Sequence, residues 1–144
     1  MDYSLKVRKN IKINANACDI WKTLTSNEKL SDFFKMSVKC KSWKKGEAIS
    51  FSGLKNNSEF TDKAIITEFQ PSERLTYAYY KSGSNDYTEL SFLIKQNEKD
   101  ISELILNGKG FLDTNDKVHA ENAWKEMLKI LKNGIEKNAP QHRV

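Results

Sequence analysis

Several residue types are scarce in this sequence, and each scarcity excludes a class of protein. The 144 residues include two prolines and six glycines, too few for a collagen-like or Pro/Gly-rich low-complexity chain. The two cysteines, Cys18 and Cys40, do not suggest a disulfide framework and favour a reducing, cytoplasmic location. No apolar run approaches the roughly 20 residues that cross a bilayer, and Met1–Lys6 lacks the apolar stretch of a signal peptide. We expect one intracellular domain, 1–144, without a membrane partner; its core spans about 5–136, and 137–144 form a flexible tail.

Histidine is also rare, and with it the chemistry that histidine supports. His119 and His142 are the only two, and we interpret the first as a surface residue of the last helix and the second as part of the tail. No His-x-x-x-His or Cys-x-x-Cys spacing is present, so we expect no metal site. Gly108–Gly110 is too short for a phosphate-binding loop. The sequence therefore predicts no cofactor.

Basic residues exceed acidic ones, with 24 Lys plus Arg against 19 Asp plus Glu and a formal net charge of +5. Only three of the basic residues are arginines, the residue type that forms bidentate hydrogen bonds with phosphates and with the edge of guanine. We therefore predict no nucleic-acid partner. The densest group surrounds Trp43 and is interpreted as a solvated face, with binding to an acidic partner as the alternative: Lys35, Lys39, Lys41, Lys44 and Lys45.

The hydrophobic pattern predicts mostly strands. Apolar and polar residues alternate from Leu5 to Ile13, which predicts an antiparallel strand with one solvent-exposed face. Asn16 and Ser26 are suited to cap two short helices that follow. Six more strands are predicted near residues 36–41, 47–53, 60–70, 73–80, 86–96 and 100–110, with a hairpin loop at 82–85.

A long amphipathic helix closes the pattern. Asp113–Asp116 offers caps, Pro140 cannot continue a helix, and apolar residues recur every three or four positions: Ala120, Ala123, Trp124, Met127, Leu128, Leu131 and Ile135. Since this helix is the only element long enough to cover the sheet, we predict an α+β fold. In it, a curved antiparallel sheet wraps the C-terminal helix, and two short helices follow the first strand.

Four segments carry a resemblance to a known family. Ile13–Thr25 resembles the "I-x-A-P-x-x-x-V-W-x-x-L-T" opening of START-like (Bet v 1-like) proteins, and Leu30–Phe34 lies where their group named after the activator of the Hsp90 ATPase carries "L-x-x-W-F". Trp43–Gly46 resembles the "W-x-x-G" turn, and Ile66–Tyr77 the "V-x-E-x-x-P-x-x-R-L-x-Y" segment. The departures from the pattern are Asn16 for proline, Phe33 for tryptophan, and Gly108 for a polar residue or histidine. The resemblance implies the helix-grip fold, with a cavity between sheet and helix.

Aromatic and other side chains are the candidates to line that cavity. We expect Glu68 to face inward with Ile66 if strand alternation holds, either with a raised pKa or paired with Arg74; a surface ion pair with Arg74 is the alternative. The predicted cavity residues are Phe33, Phe34, Phe51, Ile66, Glu68, Tyr77, Tyr79, Tyr87, Phe92, Phe111, Trp124 and Met127.

Three functions remain open at this point. The first is binding of a small hydrophobic or aromatic ligand without covalent chemistry. The second, implied by the resemblance, is contact with an Hsp90-type chaperone through the lysine-rich segment. The third is an aromatase- or cyclase-like enzyme in which Glu68, Tyr77 and Tyr79 would do the acid/base work. We expect a monomer or a weak dimer.

Overall fold

The computed structural model describes residues 2–81 and 84–138, and within these ranges the chain forms seven strands and three helices. The strands are β1 (Asp2–Ile13), β2 (Ser37–Cys40), β3 (Ala48–Lys55), β4 (Ser58–Gln70), β5 (Arg74–Tyr80), β6 (Thr88–Glu98) and β7 (Ile101–Phe111). The helices are α1 (Ala17–Leu24), α2 (Asn27–Phe34) and α3 (Thr114–Asn138). The predicted helix-grip fold is confirmed. Residues 137 and 138 belong to α3 rather than to a tail, whereas 139–144 and 82–83 of the predicted loop lie outside the described residues.

Side-chain caps begin all three helices at the predicted positions. The Asn16 Oδ1 accepts a hydrogen bond from the Asp19 amide at 2.8 Å, and the Ser26 Oγ accepts one from the Lys29 amide at 3.1 Å. The Asp113 Oδ1 does the same for the amide of Asp116 at 2.8 Å. These bonds satisfy amides that have no partner within the helix itself.

The strands form one antiparallel sheet with the order β1-β7-β6-β5-β4-β3-β2. Strands that follow each other in sequence are neighbours from β2 to β7, and β1 closes the sheet by pairing with β7. We call the face that is turned toward α3 the inner face. Directly paired residues of antiparallel strands point to the same face, so the register identifies every inner-face residue.

Helix α3 lies along β1 and β7 and contacts α1 and α2. Its buried stripe consists of Trp124, Leu128, Leu131 and Ile135, each at most 9% exposed. Two backbone close approaches fix its position. A Cβ added at Gly108 of β7 would lie 2.0 Å from the Trp124 ring, and one added at Gly134 of α3 would lie 2.5 Å from the Phe33 ring.

A β-bulge in β4 overturns the prediction for Glu68. Ile66 pairs with Tyr77, but the register shifts at the next residue and Glu68 pairs with Thr76, on the opposite face of β5. The Glu68 side chain is 43% exposed and lies 3.7 Å from the Arg74 guanidinium. The expectation that Glu68 faces inward with Ile66 is therefore wrong, because a bulge breaks simple alternation. The surface ion pair with Arg74 is the arrangement found.

Candidate functional site at the open end of the inner face

The inner face of the sheet is closed at one end and accessible at the other. Ile49, Ile66 and Leu75 are at most 1% exposed. Further along β3, β4 and β5, the paired residues Phe51 and Asp62 and the neighbouring Tyr79 are only half-buried. Helix α3 lies over β1 and β7, which leaves these side chains incompletely covered. We call the surface formed by Phe51, Asp62, Tyr77 and Tyr79 the open end.

Aromatic rings form a continuous row across the open end. The Phe51 ring centroid lies 5.4 Å from that of Tyr79 and 6.4 Å from that of Tyr77. Tyr77 in turn contacts Phe92 at 6.0 Å. All three contacts are tilted, an arrangement within the usual range for interacting aromatic side chains. The row provides an apolar floor for a flat or hydrophobic molecule.

A tyrosine–carboxylate pair lies at one side of this floor. The Tyr79 hydroxyl donates a hydrogen bond to the Asp62 Oδ2 at 2.5 Å. Burial, with the hydrogen bond to Asp62 and its negative charge as further causes, raises the pKa of Tyr79 far above its usual range. Tyr79 is therefore a neutral hydroxyl at physiological pH, and its proton is held by Asp62.

The second tyrosine has a different environment. The Tyr77 side chain is 8% exposed, and burial raises its pKa well above the usual range. Among the described residues, none forms a hydrogen bond with its hydroxyl, and no side-chain polar atom among them is both fully buried and without a partner. The Tyr77 oxygen is therefore not completely enclosed, and it places a polar atom beside the aromatic row.

A flank of α3 beside its buried stripe is half-buried, and Lys81 connects the end of β5 to this helix. Ala120, Met127 and Gly134 are spaced by seven residues and share a flank of the helix, and Gly134 faces Phe33 of α2. Ala120 and Met127 are half-buried on this flank. At the end of β5, the Lys81 ammonium lies 3.2 Å from the Asp116 carboxylate and so connects this strand to the start of α3.

The structure divides the predicted cavity residues into three groups. The first is packed in the core: Ile66, Phe92, Phe111 and Trp124 are at most 9% exposed, and the rings of the last two contact each other in a tilted arrangement, with centroids 5.9 Å apart. The second is half-buried or belongs to the open end: Phe33, Phe34, Phe51, Tyr77, Tyr79 and Met127. The third consists of Glu68 and Tyr87, which lie elsewhere.

Tyr87 does not join the aromatic row. It is 37% exposed and packs on Tyr80 with ring centroids 5.5 Å apart. Tyr80 pairs with Lys63, whereas Tyr79 pairs with Ala64. Successive residues of a strand point to opposite faces, so Tyr87 packs against a ring that lies on the opposite face from Tyr79. Its predicted place in the cavity is wrong for that reason.

Asp62 is the residue of this site that the sequence prediction missed. The segment from Phe60 to Ile66 alternates regularly, and Asp62 occupies the same phase as Ala64 and Ile66. A carboxylate in the phase of buried residues is the signal that could have identified it, since acidic side chains are seldom placed in a core without a partner.

The lysines predicted to form a basic face are all exposed: Lys35, Lys39, Lys41, Lys44 and Lys45. The Trp43 side chain among them is half-buried, and its Nε1 donates a hydrogen bond to the Asn27 Oδ1 at 3.0 Å. Lys35 lies 3.7 Å from Asp32, one helical turn away. The remaining lysines extend along and beyond β2, an edge of the sheet.

Two further kinds of site were sought in the part of the chain that the structure describes. Within it, His, Cys, Asp and Glu side chains form no group of three or more that could bind a metal ion. In the same residues, none of the helices combines the length and the apolar character needed to cross a membrane.

A curved seven-stranded antiparallel sheet, a long C-terminal helix and two short helices define a START-like (Bet v 1-like) domain. The chain belongs to the family described as "Activator of Hsp90 ATPase homolog 1-like protein", whose model matches residues 14–136. No curated protein matches the sequence.

Solved structures share the fold. ChR145 from Cytophaga hutchinsonii has a TM-score of 0.79 at 23% identity, over 95% of this chain and 97% of that one. The Aha1 dimer from Colwellia psychrerythraea has a TM-score of 0.73 at 17% identity, over 94% of this chain and 98% of that one. PFC0360w, an HSP90 activator from Plasmodium falciparum, has a TM-score of 0.71 at 11% identity, over 85% of this chain and 89% of that one. At these identities the likeness concerns the fold alone.

Proposed function

We propose that this domain binds a small molecule with a hydrophobic or aromatic body at the open end, without covalent chemistry by the protein. The observation that carries the proposal is the accessibility of inner-face groups that a packed core would cover. Phe51 and Tyr79 are half-buried, and the Tyr77 hydroxyl lacks a hydrogen-bond partner among the described residues. Small-molecule sites are typically apolar concavities with a few polar groups that fix orientation.

The energetics favour a ligand over water at this surface. An apolar body that covers the aromatic row removes hydrophobic area from water, which stabilises a complex by roughly 25 cal/mol per Å². The Tyr77 hydroxyl then needs a polar partner, because a buried tyrosine oxygen normally forms a hydrogen bond. A ligand with one polar group on an apolar body satisfies both requirements.

The test is a titration of the ¹⁵N-labelled protein with a panel of apolar alcohols, ketones, amines and acids, followed by amide chemical shifts. We expect at least one compound to shift amides of β3 to β5 and α3 in a saturable manner. Tyr77→Phe should weaken the binding of that compound, whereas Tyr80→Phe, on the other face of the same strand, should leave its binding unchanged. A panel without any saturable shift would refute the proposal.

A second candidate function is binding to an Hsp90-type chaperone. It is supported by the family description and by the exposed lysines around β2, which could steer an acidic partner electrostatically. The test is stimulation of the chaperone's ATPase by wild-type protein and by the Lys41→Glu, Lys44→Glu, Lys45→Glu triple variant. Equal stimulation by the two proteins would contradict this role for the lysines.

An aromatase- or cyclase-like activity stays a prediction, but Glu68 has no part in it because that side chain lies on the opposite face of the sheet from Tyr77. Tyr77 and Tyr79 are its remaining candidates. Both are held as neutral hydroxyls by burial, which raises their pKa values. The monomeric or weakly dimeric state and the cytoplasmic location also stay predictions.

A further inference from the structure

The Tyr77 hydroxyl is a polar group in apolar surroundings. The side chain is 8% exposed, and its ring lies 6.4 Å from that of Phe51 and 6.0 Å from that of Phe92. No described residue forms a hydrogen bond with the hydroxyl, although it is not completely enclosed. A hydroxyl that is nine-tenths buried without a hydrogen bond costs free energy, and a ligand that supplies the missing partner recovers that cost.

The missing partner is an acceptor. Burial raises the pKa of Tyr77 well above its usual range, so the hydroxyl keeps its proton at physiological pH. A phenol donates a stronger hydrogen bond than it accepts, because its oxygen shares lone-pair density with the ring. A neutral oxygen acceptor on the ligand, such as a carbonyl, therefore gains more from Tyr77 than a donor does.

Packing around Tyr77 sets the direction in which a ligand extends. Gly108 lies in the same row of the sheet as Tyr77, two strands away, and the Trp124 ring fills the space above this glycine. The β7 side is therefore closed. On the side of β3 and β4, Phe51 and Phe60 share the inner face and are half-buried. The apolar body of a ligand that reaches Tyr77 thus lies over Phe51.

We propose that the Tyr77 hydroxyl donates a hydrogen bond to the carbonyl oxygen of an uncharged ketone or ester whose apolar body lies over Phe51. This inference rests on the proposed ligand-binding function and names the chemical class of the ligand. It assigns no ligand contact to Asp62, whose carboxylate accepts the Tyr79 proton at 2.5 Å. Tyr77 is the residue that selects for the carbonyl.

A matched pair of probes isolates the hydrogen bond. 4-Phenylbutan-2-one and 2-methyl-4-phenylbut-1-ene have the same shape, but a methylene group replaces the carbonyl oxygen in the second. The hydrocarbon leaves water more readily than the ketone, so the ratio of their affinities in one protein does not measure the hydrogen bond. The change of that ratio between wild-type protein and Tyr77→Phe measures it. 2-Acetylnaphthalene and 2-isopropenylnaphthalene repeat the comparison on a rigid aromatic body.

Titrations followed by amide chemical shifts give the dissociation constants and check that each variant is folded. Tyr77→Phe should weaken the binding of the ketones roughly three- to tenfold, the usual contribution of one hydrogen bond, and should change that of the hydrocarbons by less than about twofold. Tyr80→Phe removes a hydroxyl from the opposite face of the same strand and should change neither. A hydrogen bond also lowers the carbonyl stretching frequency of the bound ketone, which should be lower in the wild-type complex than in the Tyr77→Phe complex.

The outcomes distinguish this inference from the proposed function. An equal change for ketone and hydrocarbon in Tyr77→Phe would overturn the carbonyl hydrogen bond while leaving ligand binding intact. A wild-type carbonyl frequency equal to that of the ketone in an apolar solvent would do the same, and this comparison needs no variant. Failure of both probe pairs to bind would also overturn the inference, because the named ligand class would then be wrong; the wider panel decides ligand binding itself.

Discussion

At the scale of single residues, the contact between Gly108 and Trp124 determines how closely α3 approaches β7. A Cβ at position 108 would lie 2.0 Å from the tip of the Trp124 ring, far inside van der Waals contact. The ring also contacts Phe111, at 5.9 Å between centroids. The glycine is therefore required for this close approach, because a side chain at position 108 would displace the Trp124 ring.

Gly108→Ala should accordingly lower the free energy of unfolding by about 1–3 kcal/mol, the usual cost of overpacking. Urea denaturation of wild type and variant measures this directly. Gly53→Ala is the matched control, because its Cβ would meet Phe60 at 3.3 Å and Met36 at 3.4 Å, contacts that small shifts relieve. A loss at Gly108 no larger than at Gly53 would contradict the packing argument.

The two buried tyrosines predict the pH dependence of stability. Burial raises the pKa of Tyr77 and is also the largest cause of the raised pKa of Tyr79. Above the ordinary tyrosine pKa of about 10, the unfolded chain has lost protons that the native state retains, so the free energy of unfolding falls as pH rises. The contribution is fully present below that pH and is lost as pH approaches the raised native pKa.

Urea midpoints measured between about pH 8 and pH 11 should therefore decline less steeply for Tyr77→Phe than for wild-type protein. Tyr80→Phe serves as the control at the same strand and should follow the wild-type slope. Parallel curves for Tyr77→Phe and wild type would show that the Tyr77 hydroxyl does not titrate differently in the native state.

Glu68 shows where residue-level prediction from sequence ends. Period-two alternation correctly places Leu90, Phe92 and Ile94 on one buried face. The same rule fails at Glu68 because a bulge inserts one residue between the pairs formed by Ile66 and Glu68. Bulges depend on pairing with a neighbouring strand, and alternation within one strand does not reveal them.

At the scale of elements, the C-terminal half of α3 is attached to β1 by a small hydrogen-bonded cluster. The Lys132 ammonium donates to the Lys12 carbonyl at 2.7 Å and to the Glu136 Oε2 at 2.6 Å. The same carboxylate oxygen accepts from the Asn14 amide at 2.7 Å. Two side chains of α3, Lys132 and Glu136, thus connect the end of β1 to the helix, while Trp124 positions the other half.

Glu136→Ala should lower the free energy of unfolding by about 1–2 kcal/mol at neutral pH, since it leaves the Asn14 amide and Lys132 without this acceptor. Burial alone would raise the Glu136 pKa, but the hydrogen bonds from Asn14 and Lys132 outweigh it and lower the pKa. The contribution is present above the ordinary glutamate pKa of about 4.3 and is lost as pH falls through the lowered value.

The difference between Glu136→Ala and wild type should therefore shrink in denaturation experiments on the acid side of that range. Glu126→Ala tests a carboxylate on the same helix whose pairing with Lys129, at 3.7 Å, is exposed, and should change stability by less than about 0.5 kcal/mol. A pH-independent effect of Glu136→Ala would attribute the loss to packing rather than to the charged cluster.

Helix boundaries were predictable because their signals are local. Asn16, Ser26 and Asp113 cap the helices that their positions in the sequence indicate, and each cap needs only the three residues that follow it. The end of α3 carries no comparable signal before Pro140, and the helix continues to Asn138, beyond the predicted start of the tail.

At the scale of the whole molecule, the inner face is divided into a closed part and an open end. The order of elements and the grip of the sheet on α3 follow from hydrophobic periodicity. The position of the boundary between the closed part and the open end cannot be derived from periodicity. It depends on close approaches between residues that are remote in sequence, such as Gly108 to Trp124 and Gly134 to Phe33. Both contacts bring α3 close to its neighbours, whereas Phe51 and Tyr79 stay accessible.

Two adjacent residues of α3 differ in burial in a way that tests this division into a closed part and an open end. Leu128 is 2% exposed in the buried stripe, whereas Met127 is half-buried on the flank that carries Gly134. Leu128→Ala should lower the free energy of unfolding by about 2–5 kcal/mol, because it leaves a cavity in a packed core. Met127→Ala should cost less than about 1 kcal/mol, because the space beside it is already accessible and no closed cavity is created.

Substitutions to a larger side chain extend the comparison. Met127→Phe adds volume on the half-buried flank of α3 and should change stability by less than about 1 kcal/mol, while Leu128→Phe overpacks the core and should cost about 1–3 kcal/mol. If the site binds ligands, Met127→Phe should also weaken ligand binding, because the larger side chain occupies space that a ligand would use. The free energy of unfolding should not fall to the same extent. Equal destabilisation at positions 127 and 128 would mean that side chains fill the space beside α3, and the proposed binding site would be a packed core instead.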